Sequence, residues 1–197
     1  GWAGRFNSLR IYNRILTASE VAQNFRADCF LSYSSIYDTN LEMNLDAANY
    51  TSGSSFTDSS GNSNSGAISG TPSFDKELGN HLNFSQGQNS GAGTMSTNRL
   101  TVSSFAALRT NTNFAIEIWL KSSTAGSDGM IWNVNDGGSG RKWSLSWNNL
   151  KFRWAVHNAS GTFSSAQDVF TTNTFSTNTW LHIVATYNNG TEQKIYV

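Results

Sequence analysis

Apolar residues recur at every second position through much of the second half of the chain. Phe114, Ile116, Ile118 and Leu120 alternate with Ala115, Glu117, Trp119 and Lys121. Met130, Trp132 and Val134 alternate with Ile131, Asn133 and Asn135, and Trp143, Leu145 and Trp147 with Lys142, Ser144 and Ser146. Leu150, Phe152, Trp154 and Val156 alternate with Lys151, Arg153, Ala155 and His157. A period of two places each apolar set on one buried sheet face, so each run predicts a strand. Residues 180–187 and 193–197 predict two more. Gly- and Asn-rich segments separate the strands: DGGSG at 136–140, Asn148-Asn149, which suits a type I′ hairpin, and Asn188-Asn189-Gly190.

The first half is less regular. Leu41, Met43 and Leu45 alternate with polar residues and predict a strand. A Ser/Gly-rich stretch follows, punctuated by Phe56, Ile68 and Phe74, with the sole proline, Pro72, in a loop. Leu82 and Phe84 mark a short strand, and 100–105 another. Near the start, Phe6, Leu9 and Ile11 sit among Arg5, Arg10 and Tyr12, a half-buried strand with an irregularity at Asn7-Ser8. Thr17-Ala-Ser-Glu20 then forms a capping box, flanked by Leu16 and Val21 in the staple positions. It is the best helix signal in the chain.

Composition supports an all-β protein. Charged residues are 13% of 197, about half the usual share, and Ser, Thr, Asn and Gly take their place. Aromatics are also 13%, so the chain has the means to build a core. Thirteen basic and thirteen acidic residues cancel. No basic stripe points to nucleic acid, and no apolar run approaches the 18 residues of a membrane span. Cys29 is the only cysteine, which excludes an intrachain disulfide; beside Phe30 and Leu31 it reads as a buried structural thiol.

The opening segment, GRFNSLRIYNRILTASEVAQNF over 4–25, resembles the closing strand and helical turn of laminin-G-like jelly rolls of the concanavalin A-like lectin/glucanase superfamily. LDAANYTSGSSFTDSSGNSNSG resembles the opening of such domains, and FAIEIWLKS and TWLHIVATYNNGTEQKIYV resemble their central strands. The resemblance implies a jelly-roll sandwich of two antiparallel sheets. It also implies an unusual order, because the segment that closes the family's domain here stands first. On this reading 1–25 is the closing strand and helix of one domain, 26–40 a linker, and 41–197 a jelly roll lacking its last strands. Two arrangements fit: a window across tandem repeats, or a permuted or strand-exchanged sandwich. Both imply a neighbouring repeat or subunit that completes the sheet.

Candidate sites are few. Asp58, Asn62 and Asn64, in DSSGNSNSG, offer the carboxylate and amide oxygens that calcium prefers. The same stretch also reads as an Asx-rich turn bonded to its own backbone. Family packing would add Asp46 and Asn7, although the family often has Asp at the Asn7 position. Calcium is thus the implied cofactor. The glucanase branch carries its carboxylates in E-x-D-x-x-E spacing; after Glu117 this chain has Trp119 and Ser122, so the pair is absent and catalysis is not expected. His81, His157 and His182 lie in no metal-ligand spacing. Trp119, Trp154, the pair Trp132 and Asp136, and the pair His157 and Asn158 are candidate sugar contacts, since aromatic faces stack on sugar rings and Asn or Asp bond their hydroxyls.

These residues point to a non-enzymatic structural or adhesive module, glycan-binding, at an extracellular or virion surface. Similar tandem domains occur in phage tail fibres and secreted adhesins. The expected partner is a glycan or cell surface, with neither nucleic acid nor a membrane span involved. The alternative is a carbohydrate-binding module attached to a glycoside hydrolase.

Overall fold

A computed structural model describes residues 4–29, 35–75, 81–84, 98–102, 113–125, 128–134, 141–156, 168–188 and 191–197, with the backbone alone for 128–134 and 141–142. Asp136, His157 and Asn158 therefore lie outside the described residues. The strands are β1 (Gly4–Tyr12), β2 (Leu41–Asp46), β3 (Ser55–Phe56), β4 (Gly66–Ser69), β5 (Ser73–Asp75), β6 (His81–Phe84), β7 (Arg99–Val102), β8 (Asn113–Ser122), β9 (Asp128–Val134), β10 (Arg141–Asn148), β11 (Lys151–Val156), β12 (Val169–Phe170), β13 (Leu181–Asn188) and β14 (Glu192–Tyr196). The described helix, α1, spans Ala18–Cys29.

Strand β1 is central. It pairs along its length with β8 in a sheet ordered β14-β13-β8-β1-β6-β5. Its other edge is shared: β6 takes Gly4 to Phe6 and β2 takes Ser8 to Tyr12. The predicted irregularity is real, because Phe6 pairs with Leu120 while Ser8 pairs with Trp119, so Asn7 is an extra residue. This bulge shifts the alternation. Phe6, Leu9 and Ile11 all enter the core, and Ser8, Arg10 and Tyr12 go to the opposite face.

A second sheet, ordered β12-β11-β10-β9, faces the first, and β3-β4-β7 forms a third, smaller one. All these pairings are antiparallel. Phe114 of β8 meets Trp143 and Trp154 of the second sheet at 5.9 and 5.7 Å between ring centroids. Ile116, Ile118, Leu120, Leu145, Trp147 and Phe152 complete the shared core. This is an antiparallel β-sandwich: the alternation implied its strands, and the resemblance implied the packing of two sheets face to face.

The capping box forms as predicted. Thr17 N–H donates to the Glu20 carboxylate at 2.8 Å, and Glu20 N–H donates to the Thr17 hydroxyl at 3.3 Å. The helix continues to Cys29, into the stretch read as the start of a linker. It lies on the outer face of the large sheet, where Leu16 and Val21 join Tyr12, Leu41, Ala115 and Val184 in a second small core.

Three local readings need correction. Cys29 is exposed, because it ends the helix beyond the face that meets the sheet. The β10–β11 turn lies on Asn149 and Leu150, with φ of 49° and 65°, one residue later than expected, which removes Leu150 from the strand. The Ser/Gly stretch contains the short strands β3, β4 and β5, too brief to show a period.

Candidate functional site

The outer face of the large sheet carries a buried polar cluster. Arg10 of β1 and Glu117 of β8 are register partners, and α1 lies across them. Val21, Asn24 and Asp28 share one helix face at i, i+3 and i+7 spacing. Val21 packs on the sheet, while Asn24 and Asp28 reach the charged pair.

Arg10 holds Asp28 through two parallel bonds, Nη1 to Oδ2 at 2.8 Å and Nη2 to Oδ1 at 2.7 Å. Its Nη1 also lies 3.5 Å from Glu117 Oε1. Glu117 is fully buried, and both its oxygens are engaged. Oε1 is 2.6 Å from His182 Nε2 of β13. Oε2 accepts from Asn24 Nδ2 at 2.6 Å and from the Tyr12 hydroxyl at 3.3 Å. The Asn24 oxygen accepts from Tyr37 N–H at 2.6 Å, which ties the segment after the helix into the same network. Trp119 Nε1 donates to Asp28 at 2.7 Å, and Phe25 stacks on the Trp119 ring at 5.6 Å.

The electrostatics follow from burial and pairing. Burial alone would lower the Arg10 pKa; the Asp28 hydrogen bond and the charges of Glu117 and Asp28 overcome it and raise the value. Burial and then the Glu117 charge raise the Tyr12 hydroxyl. Both groups keep their protons, so the cluster is one of donors around carboxylates.

Asp28, Glu117 and His182 present ligand atoms within 4.8 Å of one another, a spacing compatible with a metal. The Arg10 guanidinium already supplies the positive charge there and occupies both Asp28 oxygens. Nor does the pair suit glycoside hydrolysis: Glu117 lies under a helix, with both oxygens committed to protein donors. The cluster is a lock between helix and sheet.

The stretch expected to hold calcium is organised around N–H groups. Asp58 Oδ1 accepts from Asn44 and Ser60 N–H at 2.8 and 2.9 Å. Its Oδ2 accepts from Asn64 N–H and the Ser60 hydroxyl, both at 2.8 Å. Burial raises the Asp58 carboxyl, but these bonds outweigh it and hold the value below the usual carboxylate range. Asn62 and Asn64 turn their amide N–H groups to the carbonyls of Leu41 and Glu42. Asp46 accepts from Ala48 N–H at the start of a short 3-10 turn. Asn7 is the bulge residue, in β1 next to Ser8, the register partner of Asp46. A calcium ion would have to displace four donors from Asp58, so these residues do not fit one.

The sugar candidates also separate. Trp154 is a core residue, wholly buried between Phe114 and Trp143, with Nε1 donating to Thr186 O at 3.2 Å. It offers no face to a ligand, because its strand turns it inward. Trp119 is half-buried on the outer face, committed to Asp28 and covered by Phe25. Trp132 lies on β9, where the backbone alone is described. The lock itself was missed in the sequence. Its signal was present as polar Asn24 and Asp28 in phase with apolar Val21, opposite charged residues at the outward positions of β1 and β8.

Residues 92–197 match a laminin G family model described as the concanavalin A-like lectin/glucanases superfamily. No curated protein and no solved structure matches the chain.

Proposed function

Because the chain belongs to the concanavalin A-like lectin/glucanases superfamily, we propose that it is a non-catalytic binding module, adhesive or structural, that recognises glycans at an extracellular or virion surface. The observation that carries this reading is the state of Glu117. It is the residue nearest to a glucanase carboxylate in sequence, and it is sequestered by His182, Asn24, Tyr12 and Arg10. A carboxylate that must shuttle a proton to a glycosidic oxygen needs contact with substrate. The scarcity of charge and the abundance of Ser, Thr, Asn and Gly support a polar, non-enzymatic surface.

The test is to incubate the protein with a panel of insoluble and soluble polysaccharides, measuring retention and reducing ends together. Retention on at least one glycan without new reducing ends is expected. Release of reducing ends that is lost in Glu117→Gln would overturn the reading.

A further inference from the structure

Four Asn-x-Ser/Thr sequences stand in the chain, at Asn49, Asn83, Asn158 and Asn189, none with proline in the middle position. So short a pattern recurs by chance in a chain rich in Asn, Ser and Thr, and its place in the fold separates an acceptor from a coincidence. Asn158 and Asn189 lie outside the described residues. The other two stand in opposite settings. Asn83 is half-buried within β6, with Arg5 as its register partner on one side and Ser73 on the other. A group attached there would have to fit between two flanking strands.

Asn49 instead closes the 3-10 turn Ala47–Asn49 that follows β2. The turn is fixed on both sides. Ala48 N–H donates to the Asp46 carboxylate at 2.8 Å, and Tyr50 N–H donates to Ala47 O at 3.2 Å. Tyr50 is extended, its ring stacks on Phe56 at 5.5 Å between centroids, and its hydroxyl donates to Gly53 O at 2.6 Å. The middle residue of Asn49-Tyr50-Thr51 is thus pinned to the core, while Asn49 and Thr51 on either side are exposed. Neither of these two side chains has a partner among the described residues. Asn62 and Asn64, a few residues on, spend their amides on the carbonyls of Leu41 and Glu42. The free amide of Asn49, with a free hydroxyl two residues later on a surface turn, is the setting that an N-linked acceptor requires.

We propose that Asn49 is a site of N-linked glycosylation, with Thr51 as the hydroxyl that the attaching enzyme reads. In this step Asn49 Nδ2 bonds to the anomeric carbon of a saccharide carried on a lipid pyrophosphate. The bond from that carbon to the pyrophosphate oxygen breaks, the lipid pyrophosphate leaves with the electron pair, and the amide nitrogen gives up one proton. The inference rests on the extracellular reading above, since the donor is met on the way out of the cell, and not on glycan recognition. The modification has a physical use. Thirteen basic and thirteen acidic residues cancel, so net charge gives the surface little protection against self-association, and a bulky, solvated saccharide supplies it.

The experiment is peptide mapping by mass spectrometry of the whole chain recovered from its own source, before and after treatment with a peptide N-glycosidase, which leaves aspartate where a glycan stood. The peptide holding Asn49 is expected to carry a saccharide and to show aspartate at 49 after treatment, and the peptide holding Asn83 to be unmodified. The same chain secreted by a glycosylating eukaryotic host tests the motif. Asn49→Gln and Thr51→Ala should each lose the glycan at 49, and Thr51→Ser, which keeps the hydroxyl, should retain it. Because both side chains are exposed, Asn49→Gln and the enzymatically deglycosylated wild type should melt together, which separates loss of the site from loss of the fold. Asn49 unmodified in chain recovered from outside the cell, or a glycan retained in Thr51→Ala, would overturn this site and leave the extracellular reading standing. Recovery of the chain from the cytosol alone would overturn both.

Discussion

Arg10 and Glu117 face each other across β1 and β8, 107 positions apart in sequence, with guanidinium and carboxylate 3.5 Å apart beneath a helix. The pair joins the strand that begins the described fold to the middle of the sheet. Asp28 and His182 then bring in α1 and β13.

Removing the cation should be costly. Arg10→Ala leaves Asp28 and Glu117 without their buried counter-charge, and a broken buried pair costs about 3–5 kcal/mol. Arg10→Met with Glu117→Leu, which removes charge from both strands, should cost less than Arg10→Ala alone. Urea denaturation of the single and double variants measures this. A double variant weaker than the single one would show that the charges themselves stabilise the fold.

The capping box gives an acid-dependent term. Burial raises the Glu20 carboxyl, but bonds from Arg14 and from Thr17 outweigh it and hold the value at about 2, below its ordinary 4.5. A depressed carboxyl stabilises the fold fully above pH 4.5 and loses that contribution as pH falls towards 2. Glu20→Gln should therefore flatten stability against pH across that window and leave the slope above pH 5 unchanged. Thr17→Ala should cost about 1 kcal/mol at neutral pH.

Asp58 is expected to act as a loop clamp. Asp58→Ala strands the N–H groups of Asn44, Ser60 and Asn64 and should cost at least about 2 kcal/mol. Calcium at millimolar concentration should leave the wild-type melting temperature where chelator leaves it. A calcium-dependent rise abolished by Asp58→Ala would refute the clamp.

Trp154→Ala should cost about 3–5 kcal/mol, the range for a large aromatic removed from a core. Trp119→Ala should cost less, since its ring is half-exposed, although Asp28 loses a donor. Equal losses in thermal or chemical melts would contradict this division between core and outer face.

Strand positions were legible wherever the period of two ran for several residues, as in β8, β10 and β11. The bulge at Asn7 was legible because Phe6 and Leu9 cannot share a face without one. What stayed hidden was set by distant partners. Trp119 alternates with Ile118 and Leu120, and Trp154 with Arg153 and Ala155, so the period separates their faces, but it does not show that Asp28 and Phe25 engage Trp119. Asp58 offers oxygen whether its neighbours present cations or N–H groups, and only the path of 41–64 decides that. The lock needed three elements in place at once, so no single stretch announced it.

The order of synthesis has its own consequence. Strand β1 leaves the ribosome before every strand it pairs with, and its full partner β8 ends at Ser122. At about 5–20 residues per second, its edge waits roughly 5–20 s for that partner. During that interval Phe6, Leu9 and Ile11 travel with an open edge on a nascent chain, a natural client for a chaperone that recognises short apolar β segments. Slower translation between 30 and 122 should therefore lower the soluble yield of this protein more than slower translation after 122.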